Sequence, residues 1–338
     1  MGRMRRLNLP SPVLAAPMAG GPSTPALVHA VADAGSLAFV PAGYRTAGQL
    51  ADDLQQVRTR TSGFGVNLFV PDPRPVDRAA VARYREVITA EVGSLGASLG
   101  PERLEDDDDW EAKVELLCQD PVPWVSFTFG LPDVAVVRRL RVAGSRLLMT
   151  VTDVDEARAA ADLQPDGLVV QSAAAGGHRG TFDQHRTPNT DDLTDLVAAI
   201  TTITDVPVVG AGGLANPAAV RRAFEAGAEA VVVGTALLLA DEAGTRPTHR
   251  TALGDPASTT TTMRAYTGRV ARGIRTAFSD RYERDAPAAY PAVHHLTAPL
   301  RRWAAEHDDR DHLHLWAGTA FRTARPGPVS ELLGGLAP

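Results

Sequence analysis

Short apolar runs recur along the chain, and each ends in glycine, asparagine, proline or glutamine or in a small polar turn. Eight can be counted, over residues 13–18, 37–40, 65–69, 124–128, 147–151, 168–171, 206–211 and 230–233. They are nearly continuous in Val, Leu and Ala and do not alternate with polar residues, the pattern of strands buried on both faces of a parallel sheet. Amphipathic segments lie between them. Thr24-Pro25 and Asn216-Pro217 each set a capping side chain before a proline at the first helical position, and Gly35 and Gly227 stop those helices. Thr46 and Asp153 start two more. Eight strand–helix units predict an α/β fold, a (β/α)8 TIM barrel; an open doubly wound sheet is the competing arrangement.

Two stretches exceed a minimal barrel. Residues 71–120 are too long for one crossover; they carry a helical run over 76–95 and an acidic run over 105–109, read as a solvated loop. Beyond about residue 240 the chain reads as a mainly helical cap over the barrel mouth. The expected organisation is a barrel over 1–240, with a helical insertion after strand 3 at about 71–120, and a C-terminal cap or substrate domain over 241–338.

Charge and composition narrow the partners. With 34 basic against 40 acidic residues the net charge is −6, which gives no general attraction to nucleic acid or anionic membrane. The single cysteine, Cys118, excludes an intrachain disulfide and a cysteine-rich metal site. No window approaches 18 uninterrupted apolar residues, and the arginine-rich start is not followed by an apolar run, so a cytoplasmic enzyme is expected. A homodimer is compatible with this reading. Lys113 is the only lysine and sits among acidic residues, which speaks against Schiff-base chemistry.

In a barrel the chemistry lies at the carboxyl ends of the strands. The segment 167–180, GLVVQSAAAGGHRG, ends a strand in Gln171 and a small-residue turn with His178 at its mouth. An imidazole there suits a general base or proton relay. Gly212-Gly213 and Gly234-Thr235 follow strands 7 and 8, where barrels commonly hold a phosphate on backbone N–H groups. Asn67 and Gln171 are amides that both donate and accept, which suits the edge and hydroxyl chain of a flat heterocycle. No carboxylates or histidines converge as metal ligands. Tyr290 and His294, four residues apart, are substrate-side candidates on one helical turn. His295, His307, His312 and His314 read as solvated.

These stretches resemble the nitronate monooxygenases, formerly 2-nitropropane dioxygenases. The resemblance rests on APMAGG (16–21), FGVNLFVP (64–71), QSAAAGGHRGTF (171–182), the run 208–238 and AYPAVHHLTAPLR (289–301), so it spans nearly the whole chain. AGGH after a strand ending in Gln, joined to FGVN, is its specific part. The resemblance implies an FMN-dependent oxidoreductase that converts alkyl nitronates, with nitroalkanes as further candidates, and O2 to a carbonyl compound and nitrite. Carried over by position, the FMN contacts fall on Pro17, Met18, Asn67, Gln171, Gly176, Gly177, Gly212, Gly213, Val232, Val233, Gly234 and Thr235, and the active-site histidine is His178. The sequence departs from the family at Ala174, often Glu, and Gly63, often Pro. The alternative is an FMN-dependent NAD(P)H reductase of quinones or enoyl thioesters on the same barrel.

Overall fold

The eight apolar runs form one eight-stranded sheet in a computed structural model that describes residues 7–337. The strands are β1 (Val13–Ala15), β2 (Phe39–Pro41), β3 (Gly65–Phe69), β4 (Trp124–Thr128), β5 (Arg146–Val151), β6 (Gly167–Gln171), β7 (Val208–Ala211) and β8 (Ala230–Val233). All pair in parallel, in the order β1-β8-β7-β6-β5-β4-β3-β2. The ends meet where Ala15 bridges Ala38 and donates its N–H to the Leu37 carbonyl at 2.9 Å. A parallel sheet that returns to its first strand is a (β/α)8 barrel, and the open-sheet alternative falls away. Residues 1–6 and 338 lie outside the described residues, and most of the reading of the arginine-rich start lies there with them.

Helices α1 (Pro25–Asp33), α2 (Ala47–Arg58), α3 (Arg78–Ser94), α4 (Trp110–Gln119), α5 (Val134–Ala143), α6 (Val154–Asp162), α7 (Leu193–Thr201) and α8 (Pro217–Glu225) lie between the strands, α3 and α4 both between β3 and β4. The caps form as the sequence indicates. Thr24, Asp153 and Asn216 each accept a backbone N–H of the first turn, and Thr46 makes a capping box with Gln49. Outward residues of the strands bury against the helices, while Leu14, Phe39, Trp124, Leu148, Val169 and Val209 fill the barrel interior from below. That filled core leaves only the carboxyl end of the barrel open for a site.

The insertion and the C-terminal segment pack on each other. The apolar face of α3 (Val81, Tyr84, Ile88, Val92) shares one core with Tyr266, Phe278, Val293, Leu296 and Leu300. Burial of such side chains contributes about 1.5–3 kcal/mol each, so α3 is held by the cap as much as by the barrel. The cap comprises α9 (Pro247–Gly254), α10 (Ala277–Tyr282), α11 (Ala292–Glu306) and α12 (Val329–Gly334). It also contains strands, which a purely helical reading omits: Thr260–Met263 pairs antiparallel with Ala271–Ile274, and that strand pairs with Gly177–His178. The run of threonines favours an extended chain there, and the ribbon carries the cap directly to the turn after β6.

The acidic run is not the solvated loop that its charge suggests. Asp106 meets His295 at 2.6 Å, and Asp108 meets Lys113 at 2.7 Å and takes the Tyr44 N–H at 2.9 Å. Its carboxylates fasten the insertion to the barrel and to α11. Asp108 is mostly buried, and the desolvation lifts its pKa to about 6 in spite of Lys113. No helix among the described residues is long and apolar enough to cross a membrane.

Candidate active site

The open end of the barrel holds a cavity of about 260 Å³. Pro17, Met18, Asn67, Gln171, Gly176, Gly177 and His178 line it, as do Gly212, Gly213, Val232, Val233, Gly234 and Thr235. The structure thus brings together every residue assigned to a cofactor contact or to catalysis. Tyr290 and His294 line a second cavity outside it. They do not share a helical turn. Tyr290 precedes α11, its bond to Pro291 is cis, and the two rings lie 6.3 Å apart.

The turn after β6 is held by side chains from three directions. Gln171 donates to the His178 carbonyl at 3.0 Å and accepts the Gly180 N–H at 2.8 Å, which ties the strand end to the histidine. The buried Arg179 donates to the Ser172 carbonyl, and Arg272 donates to the Ala173 carbonyl at 2.9 Å. Gly212, with φ +107°, lies against this turn so closely that a Cβ would stand 2.6 Å from Ser172 Oγ. Gly176 meets Ala317 and Gly318 in the same way, and a Cβ there would stand 2.5 Å from the Gly318 nitrogen. Glycine is required at both positions because backbone approaches backbone.

His178 is enclosed among Phe129, Tyr290 and Trp316, with ring centroids 5.8, 5.9 and 5.3 Å away. Burial, then the charges of Arg269 and Arg301, pulls its pKa down to about 3, so the ring is neutral at pH 7. Nε2 meets the Thr267 hydroxyl at 2.9 Å. Nδ1 has no partner among the described residues and is not an enclosed atom, which leaves it to the cavity.

The polar groups of the cavity divide into committed and free. Asn67 spends its amide N–H groups on Ser126 and Thr128, at 2.9 and 3.0 Å, and keeps its carbonyl oxygen. Gln171 keeps one N–H and one lone pair beyond the bonds above. The backbone N–H groups of Gly212, Gly213, Gly234 and Thr235 have no acceptor among the described residues. Four half-buried peptide donors without a protein acceptor, all on residues that line one cavity, make a cradle suited to an anion. Among the described residues no three histidine, cysteine or acidic side chains are grouped to hold a metal ion.

A family model described as nitronate monooxygenase matches residues 3–338. The chain belongs to the nitronate monooxygenase family. A probable nitronate monooxygenase of Staphylococcus aureus strain MRSA252 is 32% identical over 337 residues, covering 98% of this chain and 94% of that protein. Among solved structures, a nitroalkane oxidase from Streptomyces ansochromogenes is 40% identical with a TM-score of 0.91, covering 97% of this chain and 95% of that one. FabK from Thermotoga maritima, at 22% identity and TM-score 0.75 over 98% of this chain and 92% of that one, is alike in fold.

Family membership makes the chain an oxidoreductase and directs attention to residues the sequence alone left unmarked. His314 is not solvated: it lines the inner cavity, its Nδ1 is buried without a partner, and burial holds it well below the usual histidine range. His312 bridges Glu91 and Asp309 at 2.7 and 2.8 Å, and His295 pairs with Asp106; of the four, only His307 is exposed. Tyr44, Phe69 and Phe129 form a wall shared by both cavities. Tyr44 and Phe129 follow strand ends, which is a signal for them; nothing local marks Thr267, Arg269 or Arg301.

Proposed function

We propose that this chain oxidises alkyl nitronates, with FMN as its cofactor and O2 as the oxidant, to a carbonyl compound and nitrite. The observation that carries the reading is a neutral His178, its Nδ1 without a protein partner, in the lining of a cavity that four residues with unpartnered peptide N–H groups also line. These residues fit FMN. The donors of Gly212, Gly213, Gly234 and Thr235 would hold the phosphate, and the free carbonyl of Asn67 with the remaining N–H of Gln171 would meet the polar ring edge. Bound there, FMN supplies the electron acceptor that no side chain provides.

The chain's own residues bind, orient and keep out water. Phe129, Tyr290 and Trp316 surround the imidazole with ring surface, and a dry surround strengthens each polar contact made inside it. Arg269 and Arg301 add positive charge near His178, which favours an anionic substrate over a neutral one. With a neutral nitroalkane, His178 would take the α-proton; its pKa of about 3 makes that transfer weak at pH 7. The site thus favours nitronates over nitroalkanes.

The test is an absorption spectrum of the purified protein, followed by anaerobic addition of propyl nitronate or of NADH. A flavin spectrum bleached by nitronate and not by NADH is expected. Bleaching by NADH alone would give the reductase reading precedence, and a colourless protein that takes up no FMN would end both. His178→Asn should stay yellow and lose about 10²–10⁴ in turnover; wild-type turnover would remove His178 from the chemistry.

A further inference from the structure

The second cavity, about 670 Å³, lies behind the wall of Tyr44, Phe69 and Phe129, and Tyr290, His294 and Arg269 form part of its lining. Of two buried guanidiniums bound to no carboxylate, Arg269 lines it and Arg301 stands behind the lining residue His294. Arg269 donates to the carbonyls of Arg179 and Thr181 and lies 4.0 Å over the Phe129 ring. Arg301 donates to Thr297 Oγ1 at 3.1 Å, to the His294 carbonyl at 2.8 Å and to His294 Nδ1 at 3.1 Å.

The last bond has one possible direction. A guanidinium has only donors, so Nδ1 accepts and the proton of the neutral ring sits on Nε2. Burial and the Arg301 charge keep the ring neutral. Stacking on Tyr44, 4.2 Å away and 3° from parallel, fixes its plane. Nε2 has no acceptor among the described residues and is not enclosed, while the buried Tyr44 hydroxyl is turned to that of Tyr290. The carboxylates around the cavity are already engaged: Asp72 with Arg74, Asp106 with His295 and Arg103, Asp108 with Lys113, and Asp109 with the Ala47 N–H. Glu105 and Asp107 are exposed. Two guanidiniums without a bound carboxylate and the His294 Nε2–H remain on the inner side, with Asp72 and Glu156 acting on Arg269 from farther off.

We propose that this inner end of the outer cavity is a binding site for a small planar oxyanion. His294 Nε2–H is its donor, and Arg301 is the positioning residue that fixes and polarises the imidazole. A nitronate, a carboxylate and nitrite share the required shape and charge. The site stands independently of the reaction assigned to the inner cavity.

The experiment is a titration of the full-length protein, as purified with any bound flavin, carrying ¹⁵N-labelled histidine. Sodium acetate and sodium nitrite are the probes, with sodium chloride at matched ionic strength as the control. His294 should appear as the Nε2–H tautomer and shift saturably with either oxyanion. Arg301→Gln and His294→Phe should each weaken binding about tenfold or more, the loss expected for one charge-assisted hydrogen bond. Tighter acetate would assign the site to a carbon-bearing substrate, tighter nitrite to a departing product. A proton on Nδ1, no saturation by either probe, or unchanged affinity in His294→Phe overturns the proposal. His294→Phe keeps a ring on Tyr44 and decides the matter where Arg301→Gln does not fold. The readout is a histidine resonance, so failure here and failure of nitronate turnover are separate results.

Discussion

At the scale of single residues, the role proposed for His178 depends on which nitrogen carries its proton, and Thr267 is the group that bears on that. The Thr267 hydroxyl has one proton to give and two neighbours to receive it, the Arg269 carbonyl at 3.2 Å and His178 Nε2 at 2.9 Å. Donation to the carbonyl makes Thr267 an acceptor for Nε2–H and leaves a lone pair on Nδ1 toward the cavity. Thr267→Val keeps the shape and removes the hydroxyl, so the buried Nε2 loses its partner. Such a loss costs about 1–3 kcal/mol, or roughly ten- to hundredfold if it falls on the reacting geometry. We expect kcat/KM to drop by that order with FMN retained, and Thr267→Ser to restore it. A pH–rate profile of Thr267→Val identical to wild type would show that the hydroxyl does not orient the ring. The sequence pointed to His178 through its glycine-rich turn but gave no sign of Thr267, which lies 89 residues away and meets it only because the ribbon folds back.

At the scale of elements, the turns after β6 and β7 form one interlocked unit. Gly212 is the contact point: with φ +107° and an added Cβ only 2.6 Å from Ser172 Oγ and 2.8 Å from the Ala175 nitrogen, alanine there must displace one turn. Gly35, outside the cavity, is the matched control, since its φ is +71° but nothing lies within 4 Å of its added Cβ. Gly35→Ala should therefore cost only backbone strain, about 1–3 kcal/mol, whereas Gly212→Ala should add overpacking of a further 1–3 kcal/mol and release FMN. Thermal melts with a count of bound FMN separate the two; equal losses in both variants would show that the turns are not coupled. Strands and caps were legible because they are written locally, as unbroken apolar runs and as Thr24, Thr46, Asp153 and Asn216 before helices. The two-residue strand Gly177–His178 is too short to leave a period, and its partner comes from the cap. The acidic run misled for a related reason. Charge density reports solvation only where no partner waits, and here Lys113, His295 and the Tyr44 N–H do.

At the scale of the whole molecule, joining the barrel, insertion and cap encloses several imidazoles, and this should make the fold sensitive to mild acid. Burial is the leading cause in each case: it pulls His178 to about 3 and His249 to about 4, and holds His294 and His314 well below their usual range. A histidine depressed in the native state takes up its proton only on unfolding. The unfolded chain therefore gains protons as pH falls below about 6.5, and stability drops continuously toward the native values. Each such histidine contributes a slope of about 1.4 kcal/mol per pH unit once the unfolded form is protonated. Asp108, raised to about 6 by burial, acts in the opposite sense. Its native form binds a proton more readily than the unfolded chain, so it returns stability between pH 6 and about 4. Burial also raises Glu156, Glu283 and Asp53 and lowers His295. The four deeply buried imidazoles, with the larger shifts, outweigh the carboxyls across pH 6.5–5, and the melting temperature at fixed ionic strength and saturating FMN should fall through that interval. His249 is the residue to vary for its proton, because its Nε2 is buried without a partner, although it lines the inner cavity. His249→Gln should flatten the profile by about one proton's slope at saturating FMN. A melting temperature that stays level from pH 7 to 5 would mean that water reaches these rings in solution and that the cap opens far more often than its packing implies.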